Sequence, residues 1–196
     1  AVPRCVAGGA GGSGAVRSVL DRRDVEHGIT ARVALRFNPD VMAQTHRHIA
    51  TGHGGAKFGL SAEQIATLLA RQADYTNLSF EGIHIHIGSQ LHDTDATAQA
   101  VRAALDLVAP YPAVRTIDIG GGLPVAYRPG EHLPSGADFA ATLAPLLKDY
   151  HVILEPGRAI IADAGVLVTQ VLYVKEHGDE TFVIVDAGMT DLLRPA

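Results

Sequence analysis

Short apolar runs alternate with longer runs of helical period along most of the chain. Residues 32–37 (RVALRF) read as a strand that stops at the turn residues Asn38, Pro39 and Asp40. Ser61 opens a helix, with Gln64 as its capping-box partner and Ile65, Leu68 and Leu69 as the apolar stripe. Residues 80–87 (FEGIHIHI) form the next strand, ended by Gly88. Residues 95–109 follow as a helix with Val101, Ala104, Leu105 and Val108 on one face. Residues 114–119 (VRTIDI) run as a strand into Gly120, Gly121 and Gly122. Ser135 caps a helix of about 14 residues that ends near Tyr150. Residues 151–154 (HVIL) read as a short buried strand ending at Glu155-Pro156-Gly157-Arg158. Strand–helix repetition of this kind makes parallel strands with helical crossovers. The period changes after Gly165. Residues 166–175 and 181–186 are strands joined by residues 176–180 with no helix between them, so they pair as an antiparallel hairpin. Residues 7–14 (AGGAGGSG) are a flexible connection.

Composition narrows this picture. The chain has 196 residues, enough for one domain with a core but fewer than the about 250 that a closed (β/α)8 barrel usually takes. The expected organisation is therefore a Gly-rich N-terminal segment over 1–30, part of a barrel over 31–164, and the first strands of a β-domain over 165–196. The start at Ala1 rather than Met suggests a processed or incomplete product. A hydrophobic share of 47% against 19% charged residues belongs to a globular chain rather than a disordered one. The net charge of -5 argues against nucleic acid or an anionic membrane as the main partner. No apolar run approaches the roughly 20 residues of a membrane span, and residues 1–30 lack the pattern of a signal peptide. Cys5, the single cysteine, excludes an internal disulfide and fits a reducing, cytoplasmic setting.

The chemistry gathers at strand ends. In parallel α/β folds ligands bind at the carboxyl ends of the strands. Three such ends carry His84 to Gln90, Asp118 to Gly122, and Glu155 to Arg158. The glycine turn lets backbone N–H groups approach phosphate oxygens, Ser89 adds a hydroxyl donor, and Arg158 adds a charge-assisted donor to an anion. Glu155, followed by Pro156, can face a basic ring nitrogen, and His86 offers a flat ring that can stack on a cofactor. His84 and His86 stand two apart on a strand and share a face. These parts suit a phosphorylated ligand.

The order of these segments resembles the alanine-racemase-like, fold type III pyridoxal-phosphate decarboxylases. The resemblance covers roughly residues 32–196, on LRFNPD, the Thr45–Leu60 run with its KFGL end, GIHIHIGSQ, IDIGGGL, EPGRAI and VDAGMTDLLRPA. HIGSQ together with the DLLRPA ending is most similar to the diaminopimelate branch. The resemblance implies an α/β fold: part of a pyridoxal-phosphate-binding (β/α)8 barrel of the alanine racemase type, followed by a C-terminal β-domain. It implies that His86 stacks on the pyridoxal ring and that Glu155 pairs with the pyridine nitrogen. It implies that Ser89, Gly121, Gly122, Pro156, Gly157 and Arg158 hold the cofactor, and that Arg158 and Arg194 bind substrate carboxylates. The reaction it implies is meso-diaminopimelate to L-lysine and CO₂, in lysine biosynthesis, by a homodimer whose sites are completed across the interface.

The chain also departs from the family. The family's Schiff-base lysine sits in a Tyr/Phe-x-x-Lys context near the N-terminus. The lysines here are Lys57, Lys148 and Lys175, and none stands in that context. Lys57 matches the Lys-Phe-Gly segment instead, and the other two read as solvated. The family's C-terminal Cys and Tyr segments have no counterpart, and Cys5 lies in an unmatched region. The expectation is a chain that forms no lysine by itself. Alternatives are a non-catalytic homologue that binds pyridoxal phosphate weakly, or a sibling decarboxylase of another basic amino acid. A more distant one is a zinc amidohydrolase-like barrel using His84, His86, Asp118 and His151. His151 begins its strand and belongs at the opposite end from the others, which disfavours zinc catalysis. His46, His48 and His53, in a Gly-rich stretch, read as solvated, so no metal site is expected.

Overall fold

A computed structural model of the chain describes residues 4–6, 30–41 and 58–192. It divides into two units, residues 1–159 and 160–196. In the first unit, β1 (Arg4–Val6), β2 (Ala31–Phe37), β3 (Leu78–Ile85), β4 (Thr116–Asp118) and β5 (His151–Ile153) form one sheet in that spatial order. Every pairing in it is parallel. Among the described residues, α1 (Ala62–Ala70) connects β2 to β3, α2 (Asp95–Val108) connects β3 to β4, and α3 (Gly136–Leu147) connects β4 to β5. α4 (Gly157–Ile161) follows β5 directly.

Local chemistry accounts for the helix starts. Ser61 and Gln64 make both bonds of a capping box at α1, Gln64 N to Ser61 Oγ at 3.2 Å and Ser61 N to Gln64 Oε1 at 3.0 Å. Ser135 and Asp138 repeat the device at α3. At α2 the cap residue Thr94 makes no such bond. Asp93 Oδ1 accepts from the Asp95 and Ala96 amides instead. Apolar stripes then dock these helices on the sheet. Ile65, Leu68, Val101, Ala104, Leu143 and Leu147 are all buried with Val33, Leu35, Phe80, Ile83, Ile85 and Ile117 of the strands. Burial of such side chains is the main force holding the unit together. β3 is buried at alternate residues from Leu78 and at every residue from Gly82 to Ile85, as befits a central parallel strand covered on both faces.

The strands expected from the pattern form, the one at 80–87 shifted to Leu78–Ile85 and the one at 114–119 shortened to Thr116–Asp118, with three larger differences. Residues 4–6, in the segment to which the sequence assigned no element, pair with β2. A three-residue strand is too short to show a period. β5 is not buried as expected: Val152 is 38% exposed and Leu154 53%. Among the described residues it is the last strand of the sheet, with β4 as its one partner. The third difference lies in the second unit. There β6 (Val171–His177) and β7 (Glu180–Val185) pair antiparallel, so the hairpin starts at Val171 rather than at 166. The joining loop shrinks to Gly178 and Asp179. Gly178 has φ of +61°, the left-handed value that the first turn position of a II′-type two-residue loop requires. The Gly-rich stretch 7–14 lies outside the described residues.

Candidate active site at the sheet's carboxyl edge

The sheet register builds the site. Arg36 is paired with His84, His84 with Asp118, and Asp118 with Ile153. Aligned residues of neighbouring strands share a face, so Arg36, His84 and Asp118 form one polar row at the carboxyl ends of β2, β3 and β4. His84 is 3% exposed and neither of its ring nitrogens has a hydrogen bond. Its Nε2 stands 3.5 Å from Glu155 Oε2. The Asp118 carboxylate, also buried, accepts from the Gly120 amide at 2.9 Å. Burial, above all, holds the His84 imidazole below the usual histidine value, against the opposing pull of Asp118 and Glu155. It likewise pushes Asp118 above the usual carboxylate value. Both shifts favour the uncharged forms, as removal of these two side chains from water demands.

His86 follows β3, one residue past its end. The two histidine rings lie 6.4 Å apart and within 24° of parallel. His86 Nδ1 accepts from the Gly121 amide at 3.2 Å, which places the proton of its neutral ring on Nε2. Burial first, then Arg36 and His84, hold His86 below its usual value as well.

The glycine turn is tight for a physical reason. Gly120 has φ of +69°, and a Cβ there would stand 2.5 Å from the Ile85 carbonyl oxygen and 2.8 Å from His86 Nδ1. A Cβ on Gly121 would stand 2.6 Å from the Glu155 carbonyl oxygen. The Glu155 amide donates to Gly120 O at 2.8 Å, and the Leu91 amide donates to Gly122 O at 3.0 Å. Three strand ends are thus laced together through one backbone turn.

Arg158, in the first turn of α4, reaches across to the β3 loop. Its Nε and its second terminal nitrogen donate to Ser89 Oγ at 3.2 and 3.1 Å. It also donates to the Tyr127 hydroxyl, and its guanidinium lies 5.7 Å from that ring's centre. Gln90, at φ of +56°, clamps the backbone of Val125 from both sides, donating to its carbonyl at 2.6 Å and accepting from its amide at 3.2 Å. That pair ties the loop carrying Tyr127 to the end of β3.

The structure therefore brings together His84, His86, Ser89, Asp118, Gly120, Gly121, Gly122, Glu155, Gly157 and Arg158, with Pro156 at the turn into α4. Arg194, Lys57, His46, His48 and His53 lie outside the described residues. His151 is paired with Thr116, two residues before Asp118 along β4, and lies at the strand end opposite Glu155. Lys148 is the exposed residue just past α3, near that same opposite end. Sequence reasoning missed Arg36 and Tyr127, and it placed Gln90 at a site-forming strand end without giving it a role. Arg36 becomes a site neighbour only through register, and Tyr127 sits in a loop without period. A Gln directly after Gly-Ser at a strand end was the one available signal for Gln90.

These residues fit pyridoxal phosphate. The Gly120 and Gly121 amides are taken by Asp118 and His86, which leaves the Gly122 amide of the tight turn for a phosphate; a flat imidazole stands beside a carboxylate, and an arginine and a serine hydroxyl flank them. The model of the pyridoxal-binding domain of pyridoxal-dependent decarboxylases matches residues 17–162. Diaminopimelate decarboxylase of Aquifex aeolicus is 41% identical over 175 residues, which are 86% of this chain and 42% of that protein. The enzyme of Helicobacter pylori strain J99 is 39% identical over 192 residues, 92% of this chain and 47% of its own. The crystal structure of Helicobacter pylori diaminopimelate decarboxylase complexed with L-lysine superposes with a TM-score of 0.79 at 36% identity, over 94% of this chain and 48% of that one. Lysine decarboxylase from Selenomonas ruminantium gives a TM-score of 0.63 at 27% identity, over 88% of this chain and 45% of that one. The chain spans about half the length of the curated relatives it matches. The fold class expected from the sequence stands: parallel strands of an alanine-racemase-type barrel, then a β-hairpin.

Proposed function

The chain belongs to the pyridoxal-dependent decarboxylases, and from that premise we propose that it forms the cofactor-binding part of an enzyme converting meso-diaminopimelate to L-lysine and CO₂. The observation that carries this reading is the convergence of three strand ends, with Glu155 beside both histidines and Arg158 on Ser89. When bound, pyridoxal phosphate supplies an electron sink for the pair left as CO₂ departs.

The chain's own residues have separable tasks in this reading. The Glu155 carboxylate, 3.5 Å from His84 and 3.9 Å from His86, holds the pyridine N–H and so keeps that nitrogen protonated. His86, half-buried and fixed through its Nδ1, lays its ring against the pyridoxal face. Ser89 and the Gly122 amide would receive the phosphate, the Gly121 amide being held by His86, and Pro156 and Gly157 would shape the wall next to Glu155. Tyr127 and Ser89 orient the Arg158 guanidinium toward an anion, and Arg158 with Arg194 binds substrate carboxylates. The intact enzyme is a cytoplasmic homodimer in this reading. A single cysteine and, among the described residues, no helix long and apolar enough to cross a membrane support that setting. None of the three lysines stands in the family's cofactor-linking context, so the 196-residue chain alone binds the cofactor without covalent capture and forms no lysine.

Titrating purified chain with pyridoxal phosphate, followed by absorbance, tests this. Saturable binding that Glu155→Gln and Arg158→Ala each weaken at least about tenfold is expected, about 1.4 kcal/mol of binding energy. Binding that is absent, or indifferent to both substitutions, would sink the reading.

A further inference from the structure

The pocket holds a second chemistry that the decarboxylase reading does not use. His84, His86 and Glu155 each offer one ligand atom, and these atoms all lie within 4.8 Å of one another. Ligands about 2.0–2.2 Å from a tetrahedral zinc ion stand roughly 3.3–3.5 Å apart. The His84–Glu155 separation of 3.5 Å already meets that spacing, and the His86–Glu155 separation of 3.9 Å is a few tenths of an ångström wide. Glu155 is half exposed and can close its own gap, while the two imidazole nitrogens, within 4.8 Å of each other, must close theirs by a turn of the His86 ring. An independent observation comes from His84. It is nine-tenths and more buried, faces Glu155, and leaves both ring nitrogens without a hydrogen bond. A buried imidazole in that state costs stability until something coordinates it.

We infer that His84, His86 and Glu155 form a binding site for a divalent transition-metal ion, zinc above all, that competes with the cofactor for the same pocket. Two imidazoles and one carboxylate are a donor set that suits zinc rather than magnesium or calcium. The local charge permits a cation. In the row aligned with His84 the Asp118 carboxylate on β4 offsets the Arg36 guanidinium on β2, and Glu155 adds the negative charge of a ligand. One contact must be given up: the 3.2 Å bond from the Gly121 amide to His86 Nδ1 yields when that nitrogen takes the metal. With three protein ligands, the fourth position stays open to water, so the ion blocks the pocket without requiring any catalytic role. That competition, though not the metal site itself, rests on the cofactor reading above.

Calorimetric titration of the full chain with zinc chloride, after dialysis against a chelator, tests the inference. One zinc per chain with a micromolar or tighter Kd is expected. His84→Gln and Glu155→Gln should each weaken it at least tenfold. Saturating pyridoxal phosphate should raise the apparent Kd of zinc, and zinc should abolish cofactor binding followed by absorbance. Glu155→Gln alters a half-exposed side chain, so it tests the site even where His84→Gln disturbs the fold, which circular dichroism reports. No stoichiometric zinc, or zinc held equally by both variants through His46, His48 or His53, overturns the inference. Zinc and cofactor bound together without competition overturns the shared pocket. Zinc binding without cofactor binding leaves the metal site standing and removes the cofactor reading instead.

Discussion

β3 and β5 deliver site residues to the same edge from opposite kinds of scaffold. β3 is flanked by β2 and β4, and its last four residues are all buried. Among the described residues β5 has one neighbour, and its residues are exposed or half-buried. His84 is accordingly held by the surrounding core, whereas Glu155 is held through its backbone, by bonds to Gly120 and Gly157, with its half-exposed carboxylate against the two histidines. The difference teaches where the precision of this pocket comes from. The histidine side is set by packing density, and the carboxylate side by the backbone lacing of the glycine turn.

The sharpest break of this comparison is Phe80→Ala. Phe80 is fully buried in β3, so the substitution should cost about 3–5 kcal/mol, read as a fall in the urea midpoint at unchanged slope. If the loss is under about 1 kcal/mol, β3 is not the rigid side. Next comes Gly120→Ala, which adds a Cβ into the Ile85 carbonyl at a left-handed φ and should cost about 2–4 kcal/mol together with cofactor binding. Retention of both would show that the turn is not what holds β4 to β3.

Acid is a gentler probe. Burial holds His84 and His86 below the usual value of 6.5, so the unfolded chain takes up protons first as pH falls through that value. Their contribution to stability is therefore present above 6.5 and is lost as pH falls toward their folded values. Asp118, raised above 3.8, has the opposite sign, its contribution being lost as pH rises through its folded value. Denaturation midpoints taken between pH 7 and 5 should fall with acid in the wild type and fall less in His84→Gln; equal slopes would contradict the burial of this ring. Smaller still is Ser61→Ala, which removes one arm of the α1 capping box and should cost about 1 kcal/mol in the same denaturation experiment. Smallest is Val152→Ala on β5, within about 0.5 kcal/mol, since the side chain is already 38% exposed. A loss matching that of Phe80→Ala would erase the contrast between the two strands.

Much of the site was legible before any coordinates, because it is written in consecutive residues. HIHIGSQ, DIGGG and EPGR each mark a strand end by the abrupt change from an apolar run to glycine and charge. The capping boxes were readable for the same reason, since their partners stand three residues apart. Arg36 was not readable. Nothing near it in the chain points to His84, and only the β2–β3 register, with its irregularity between Val33 and Ala34, aligns the two. The exposure of β5 was misread because HVIL has the same apolar character in a central strand as at an edge.

By itself, then, the order of residues determined most of the strands and the three crossover helices, the caps of α1 and α3, and which side chains stand at the carboxyl ends of β3, β4 and β5. These are consequences of local periodicity and of hydrogen bonds over three or four positions. The tertiary structure alone decided that Arg36, His84 and Asp118 share one row, that Tyr127 meets Arg158, and that His84 faces Glu155 with its ring nitrogens unbonded. Those relations depend on register and on which strand is an edge, and both are set by how whole elements pack against each other.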